Sequence, residues 1–171
     1  MLVGVMSDSH DAIRNVETAV NVFKREGVDV VIHLGDIVAP FTLARIASSL
    51  AGARVEAVFG NNCGEKPLLI ETARRFDVNI GDPPRVVNVG GRKLLLVHGF
   101  GSPEQTVELV EALALSGKWD GVLYGHTHKP DYRYVQGRLI LNPGEVAGVF
   151  GKPTVALLDT DTLRARIVEL G

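Results

Sequence analysis

The sequence contains a single cysteine, Cys63, among its 171 residues. One cysteine cannot form an internal disulfide, so a reducing compartment is the expected environment. No apolar stretch approaches the roughly 20 residues that a membrane-spanning helix needs, and the short apolar start lacks the basic region of a signal peptide. We therefore expect a cytoplasmic protein that has no membrane partner.

The sequence also lacks a surplus of basic residues. Its formal net charge is -2, which gives no electrostatic footprint for tight binding of a nucleic-acid backbone. Hydrophobic residues make up 46% of the chain and charged residues 22%, which is typical of a folded globular domain and excludes a disordered one. Nucleic acid is therefore disfavoured as a partner, although a nuclease is left open.

Short apolar runs alternate with helical patterns through most of the chain. Runs that are apolar throughout are typical of strands buried on both faces, and spacings of three or four residues indicate helices. Strands are predicted at residues 2–6, 28–34, 54–59, 92–97 and 120–124, and helices at residues 12–25, 40–50, 67–76 and 102–115.

The end of the chain has a different pattern, in which strands follow strands. Residues 131–142, 153–160 and 163–170 predict strands joined by turns at Gln136-Gly137 and near Thr160-Asp161. We therefore expect a mixed α/β domain over residues 1–171, with an antiparallel second half and with two sheets covered by helices.

Polar residues follow each of the five predicted buried strands at the point where the strand ends. The motifs are DSH at 8–10, GD at 35–36, GNN at 60–62, HG at 98–99 and GHTH at 125–128. Ligands of open α/β sheets bind beyond the carboxyl ends of the strands, so we expect these polar side chains to converge. The converging candidates are Asp8, His10, Asp36, Asn61, His98, His126 and His128. Asn61 is the weakest of them, because asparagine beside glycine is common in turns.

The segment LYGHTHKPD at 123–131 places two of only five histidines one residue apart. If this segment is extended, His126 and His128 point to the same side while Thr127 points away. Imidazole is the commonest metal ligand in proteins, so the pair indicates a metal site.

Seven nitrogen and oxygen ligands are too many for one zinc ion, which takes about four. They suit two divalent ions, with the two oxygens of Asp36 able to bridge them. A ligand set without thiolate fits manganese, iron, zinc, cobalt or nickel better than copper(I) or an iron–sulfur cluster.

The five motifs, in this order, resemble the calcineurin-like metallophosphoesterases, and the small size of the chain resembles their compact phosphodiesterase branch. The sequence NPG at 142–144 also resembles a loop that often follows GHTH in that family. The resemblance implies a four-layer αββα sandwich with two mixed sheets. It also implies that Asp8, His10, Asp36 and His128 hold one metal, and that Asp36, Asn61, His98 and His126 hold the other.

The chain departs from the family pattern at Asn62, where many members have histidine. An amide cannot serve as a general acid, but it can hydrogen-bond a phosphate oxygen, so Asn62 is the predicted catalytic residue. Cys63, which follows it, is interpreted as a small buried residue rather than a displaced catalytic group. His33 lies inside the apolar run VVIHL and is expected to be a buried histidine that supports the site without binding metal.

The predicted function is hydrolysis of a small-molecule phosphodiester by a hydroxide that bridges two divalent ions. Manganese is the first candidate metal, with iron, zinc, nickel or cobalt as alternatives. A non-catalytic scaffold of the same fold that binds a protein partner is the main alternative function. A hydrolase with a single zinc on His98, His126 and His128 is disfavoured, because it would leave Asp8 and Asp36 buried without a cation.

Overall fold

Strand β1 (Leu2–Met6) is buried on both faces in the computed structural model, which describes residues 1–50 and 52–171. Val3 and Val5 pack into the core between two sheets, whereas Met6 packs on the opposite side against helices. Strand β2 (Val30–His33) shows the same alternation. An apolar run of this kind therefore requires a layer on each side of its sheet.

The remaining strands form both sheets. They are β3 (Arg54–Val58), β4 (Val78–Gly81), β5 (Arg85–Val89), β6 (Arg92–Leu96), β7 (Gly121–Leu123), β8 (Pro130–Val135), β9 (Arg138–Pro143), β10 (Thr154–Asp159) and β11 (Arg164–Glu169). The first sheet has the order β11-β10-β1-β2-β3-β4, and the second has the order β5-β6-β7-β9-β8. Strands β1 to β4 are parallel, as are β6, β7 and β9, and the other neighbouring pairs are antiparallel.

Within residues 1–50 and 52–171, four helices cover the outer faces of the two sheets. They are α1 (Ile13–Glu26), α2 (Pro40–Ser49), α3 (Lys66–Arg75) and α4 (Pro103–Leu115). Helices α1 to α3 pack on the first sheet and α4 packs on the second. The predicted four-layer sandwich with two mixed sheets is therefore confirmed. Among the described residues, no helix is long and apolar enough to cross a membrane.

Helix ends follow local sequence signals. Ser102 caps α4 through a capping box, in which its hydroxyl accepts from the Gln105 N–H and the Gln105 side chain accepts from the Ser102 N–H. Gly27 ends α1 in the left-handed conformation, which glycine adopts without a steric cost. The predicted helices match these bounds within one residue.

The strand prediction missed two strands and was wrong about the pairing in the second half of the chain. Strands β4 and β5 were not predicted, because Asn79 and Asn88 interrupt their apolar residues and neither strand forms a continuous apolar run. The second half of the chain is only partly antiparallel, since β9 pairs in parallel with β7. The predicted turn at Gln136-Gly137 joins β8 to β9. The parallel β9 brings one more strand end to the edge where the polar motifs lie.

Candidate metal centre

Asp8 joins the two sheets at the carboxyl ends of their parallel strands. Its side chain is fully buried, and its Oδ2 accepts a hydrogen bond from the backbone N–H of His126 at 3.0 Å. Its own N–H donates to the Gly35 carbonyl at 3.0 Å. Burial raises the pKa of Asp8 against the opposing effect of nearby histidines. A carboxylate in this position is favoured when a cation lies beside it.

The first group of potential ligands consists of Asp8, His10 and His128, whose ligand atoms lie within 4.8 Å of one another. Nε2 of His128 lies 3.4 Å from Oδ1 of Asp8, and the rings of His10 and His128 stack with their centroids 5.2 Å apart. Oδ1 of Asp8 and Nε2 of His10 are buried without a hydrogen-bond partner among the described residues. Both orphaned atoms are therefore available to a metal ion.

The second group consists of Asp8, Asp36 and His98, and Asn61 and His126 lie beside it. Nε2 of His98 is 3.5 Å from Oδ1 of Asp36 and 2.9 Å from Oδ1 of Asn61. Nδ1 of His126 is 3.0 Å from the same Asn61 oxygen.

Asp36 links the second group to His10 of the first group. Its Oδ2 lies 3.4 Å from Nε2 of His10, and its Oδ1 faces His98. All seven side chains predicted from the sequence therefore lie in one place, with Asp8 in both groups and with Asp36 of the second group facing His10 of the first.

Hydrogen bonds on the far side of two imidazoles determine which ring nitrogen faces the site. Nδ1 of His98 donates to the Leu34 carbonyl at 2.7 Å, and Nε2 of His126 donates to the Gly101 carbonyl at 2.9 Å. In the neutral ring, the other nitrogen is then an acceptor. In both histidines that acceptor faces an oxygen of Asn61, which is also an acceptor. A cation between these atoms would satisfy both acceptors.

Glu145 orients a third histidine and was missed by the sequence analysis. Nδ1 of His128 lies 2.9 Å from Oε2 of Glu145, whose side chain is buried. The carboxylate also accepts from the N–H groups of Val149 at 2.9 Å and Phe150 at 2.6 Å. Burial raises the pKa of Glu145, but these hydrogen bonds outweigh it and leave the pKa below its usual value. The feature of the sequence that could have identified Glu145 is its position directly after the NPG motif, beyond the end of β9.

The segment that carries His126 and His128 is not extended, so that prediction was wrong. His126 has φ 67° and His128 has φ 58°, and the N–H of Thr127 donates to the Gly125 carbonyl at 2.7 Å. The chain turns sharply instead of continuing β7. As a result, His126 faces Asn61 whereas His128 faces Asp8.

Left-handed backbone conformations are concentrated in the site. Side chains other than glycine rarely adopt positive φ, and such residues cluster where surrounding structure holds them in place. Five of the seven predicted ligands have positive φ, namely Asp8, His10, Asp36, His126 and His128.

Two glycines allow the close approach of chain segments to Asp36 and His98. A Cβ on Gly60 would lie 2.1 Å from Oδ1 of Asp36. A Cβ on Gly35, which has φ +104°, would lie 2.4 Å from Nδ1 of His98. The GD and GNN motifs therefore require glycine for steric reasons.

Asn62, the predicted catalytic residue, holds Asp36 by two hydrogen bonds. Its backbone N–H donates to Oδ1 and its side-chain Nδ2 donates to Oδ2, both at 2.8 Å. Burial raises the pKa of Asp36, but His98 and Asn62 together bring it below its ordinary value. Contact of Asn62 with a substrate remains a prediction.

Cys63 and His33 are both buried, as predicted. Sγ of Cys63 accepts from the Gly60 N–H at 3.3 Å. The Nε2 atom of His33 lies 3.0 Å from the Ser9 hydroxyl, and its Nδ1 accepts from the Gly35 N–H at 3.2 Å. Burial lowers the pKa of His33 to about 3, so this imidazole is neutral.

Comparison with known families identifies the chain. Residues 1–163 match the calcineurin-like phosphoesterase superfamily domain. This chain belongs to the calcineurin-like phosphoesterase superfamily. The prediction of a hydrolase of the phosphoesterase class is thereby confirmed.

Several known proteins are similar to this chain over nearly its whole length. A phosphodiesterase of Methanocaldococcus jannaschii is 36% identical over 172 residues, covering 99% of each chain. The solved structure of an archaeal phosphodiesterase is 35% identical and superposes with a TM-score of 0.89 over 99% of each chain. Vacuolar protein sorting 29 of Cryptosporidium parvum is 19% identical with a TM-score of 0.65, over 98% of this chain and 95% of the other, and shares the fold.

The donor atoms of the site fit the divalent metals that a metallophosphoesterase requires. Carboxylate, amide and imidazole groups face one another there, with acceptors opposed to acceptors and with two orphaned buried atoms. Hard and borderline divalent ions prefer such oxygen and nitrogen ligands. The hydrogen bonds to Leu34, Gly101 and Glu145 orient the imidazoles in the way that partners of metal-binding histidines do.

Proposed function

We propose that this protein is a phosphodiesterase that uses two divalent metal ions to hydrolyse a small-molecule phosphodiester. The observation that carries the proposal is the position of Asp36, whose two oxygens face His10 on one side and His98 on the other. One carboxylate between two groups of nitrogen ligands is the arrangement that two ions would share.

We propose the two overlapping ligand sets that the family resemblance implies. Asp8, His10, Asp36 and His128 would hold one ion, and Asp36, Asn61, His98 and His126 would hold the other. Manganese is the proposed ion, with iron, zinc, nickel or cobalt as alternatives. When bound, two such ions supply Lewis acidity toward phosphoryl oxygens and lower the pKa of a coordinated water.

Asn62 has two proposed effects: it holds the Asp36 carboxylate in position, and it limits which leaving groups the enzyme can release. Asn62 donates to both oxygens of Asp36 and is exposed, so its amide could also hydrogen-bond a phosphate oxygen. Because an amide cannot protonate a leaving group, we infer that esters of acidic alcohols or phenols are hydrolysed best.

A metal-removal experiment tests the proposal. Protein treated with EDTA should lose hydrolysis of bis(p-nitrophenyl) phosphate and regain it with Mn²⁺. Asp36→Ala and His126→Ala should each abolish turnover while circular dichroism and the melting transition stay those of a folded domain. A metal-loaded protein that is inert toward a wide phosphoester panel would exclude the proposed catalysis.

A non-catalytic scaffold is the second candidate. Val149 and Phe150 are 64% and 78% exposed, and the Phe150 ring lies 5.0 Å from that of His128. Exposed apolar residues next to a site can bind a protein partner. Inertness of the metal-loaded protein would favour this candidate over the enzyme.

A further inference from the structure

An apolar pocket with a volume of about 310 Å³ lies beside the candidate metal centre, between α4 and the edge of the second sheet. Its wall is formed chiefly by Pro83, Pro84, Phe100, Leu109, Leu113 and Trp119. Pro83 and Pro84 belong to the β4–β5 connection, and Phe100 belongs to the segment after β6. Leu109 and Leu113 lie on α4, and Trp119 follows it. The proposed metal sites give this pocket no role.

The pocket adjoins the site at His98. His98 and Gly99 also line it, while Nε2 of His98 faces Asn61 and Asp36. A phosphodiester whose phosphate lies at the metal centre would reach the pocket with one of its two substituents if that substituent lay along His98 and Gly99. Pockets of roughly 300 Å³ are at the small end of those that bind organic ligands, so this one suits a single ring-sized group.

The lining determines the chemistry of that substituent. None of the described residues that line the pocket is an acid, a lysine or an arginine. A nucleobase or a sugar buried there would leave several of its polar atoms without partners, which costs free energy. An apolar group gains from leaving water and packs against the rings of Phe100, Trp119 and the two prolines.

We propose that this pocket binds an apolar substituent of the substrate, an aryl or compact alkyl group, and so selects phosphodiesters that carry one over nucleotide-like diesters. This inference rests on the proposed phosphodiesterase function. It assigns to Phe100, Leu109 and Trp119 the role of determining specificity, with no part in the chemical step.

The single tryptophan of the chain makes the pocket directly observable, because Trp119 is the only source of indole fluorescence. In metal-loaded protein, diphenyl phosphate should inhibit hydrolysis of bis(p-nitrophenyl) phosphate at a concentration about ten- to hundred-fold lower than dimethyl phosphate does. Titration with diphenyl phosphate should also shift the tryptophan emission, whereas dimethyl phosphate should not.

Two substitutions on α4 provide a matched pair. Leu109, which is 37% exposed, lines the pocket, and Leu115, which is 46% exposed, does not. Leu109→Glu should remove the preference for diphenyl phosphate and the emission shift, with inhibition by dimethyl phosphate unchanged. Leu115→Glu should behave like the wild type in every assay, and circular dichroism should show both variants folded.

Three outcomes would overturn the pocket proposal. They are equal inhibition by the two phosphates, a preference that survives Leu109→Glu, or stronger inhibition by a nucleotide diester than by diphenyl phosphate. Any of these, seen together with Mn²⁺-dependent hydrolysis, refutes the pocket and leaves the phosphodiesterase intact. If hydrolysis is absent with every metal, the proposed function fails, and the fluorescence titration still shows whether the pocket binds the aryl group.

Discussion

Glu145 and His128 form a largely buried hydrogen bond in which Nδ1 of His128 lies 2.9 Å from Oε2 of Glu145. The carboxylate is held in turn by the N–H groups of Val149 and Phe150. This bond leaves Nε2 of His128 facing Asp8 at 3.4 Å. Glu145 is therefore a positioning residue for one of the two proposed ions.

Glu145→Gln should weaken binding of one ion more than of the other. Partners of metal-binding histidines contribute about 10- to 100-fold in affinity, so the affinity of the group containing Asp8, His10 and His128 should fall by that factor. Titration with Mn²⁺ against a competing chelator measures both affinities. Glu111→Gln is the control, because Glu111 is half-exposed and pairs with Arg133. Equal loss at both ions, or none, would contradict the assigned role.

Gly60→Ala should displace Asp36 and reduce metal binding, because the added Cβ would lie 2.1 Å from Oδ1 of Asp36. Gly64→Ala is the matched control, since a Cβ at Gly64 would meet nothing within 4 Å. We expect Gly60→Ala to lower kcat/KM at least ten-fold and Gly64→Ala to leave it near the wild-type value. Metal analysis of both variants checks the cause, and full occupancy in inactive Gly60→Ala would disprove it.

Asn62→Ala separates two roles of Asn62. If the amide mainly orients Asp36, the variant should bind Mn²⁺ more weakly, and excess metal should restore much of its activity. If it mainly binds the phosphate, KM should rise with metal affinity unchanged. The two hydrogen bonds to Asp36 favour the first result, although the backbone N–H at 2.8 Å remains in the variant. Kinetics at several Mn²⁺ concentrations decide between them.

His33 predicts a pH dependence of stability. Its pKa is lowered to about 3 by burial and is near 6.5 when unfolded, so the unfolded chain binds one more proton between these values. The free energy of unfolding is therefore highest above pH 6.5 and falls by roughly 5 kcal/mol as the pH is lowered toward 3. Urea unfolding of metal-free protein should show a shallower decline with acid in His33→Gln. Parallel pH profiles would show that His33 titrates normally in the fold.

The candidate metal ligands were predictable because they follow a local pattern, in which an apolar run is followed by polar residues. Each candidate follows an apolar run, and parallel strands bring their carboxyl ends to one edge. The overall sandwich was predictable for the same reason, since runs buried on both faces require covering layers.

Other features depend on contacts that the sequence does not display. Glu145 follows β9, and its relation to His128 exists only because β9 pairs in parallel with β7. The left-handed turns at His126 and His128 come from the loop after Gly125, for which the alternating histidines suggested an extended segment. Strands β4 and β5 are defined by their pairing with β3 and β6, because an asparagine interrupts the apolar residues of each and leaves no continuous apolar run.

The metal content per chain tests the central claim most directly. Protein saturated with Mn²⁺ and freed of excess ion should carry two ions per chain by elemental analysis, and Asp36→Ala should lose affinity for both. A wild-type content of one ion, or an Asp36→Ala variant that keeps two ions with unchanged affinity, would contradict a centre in which both ions share Asp36.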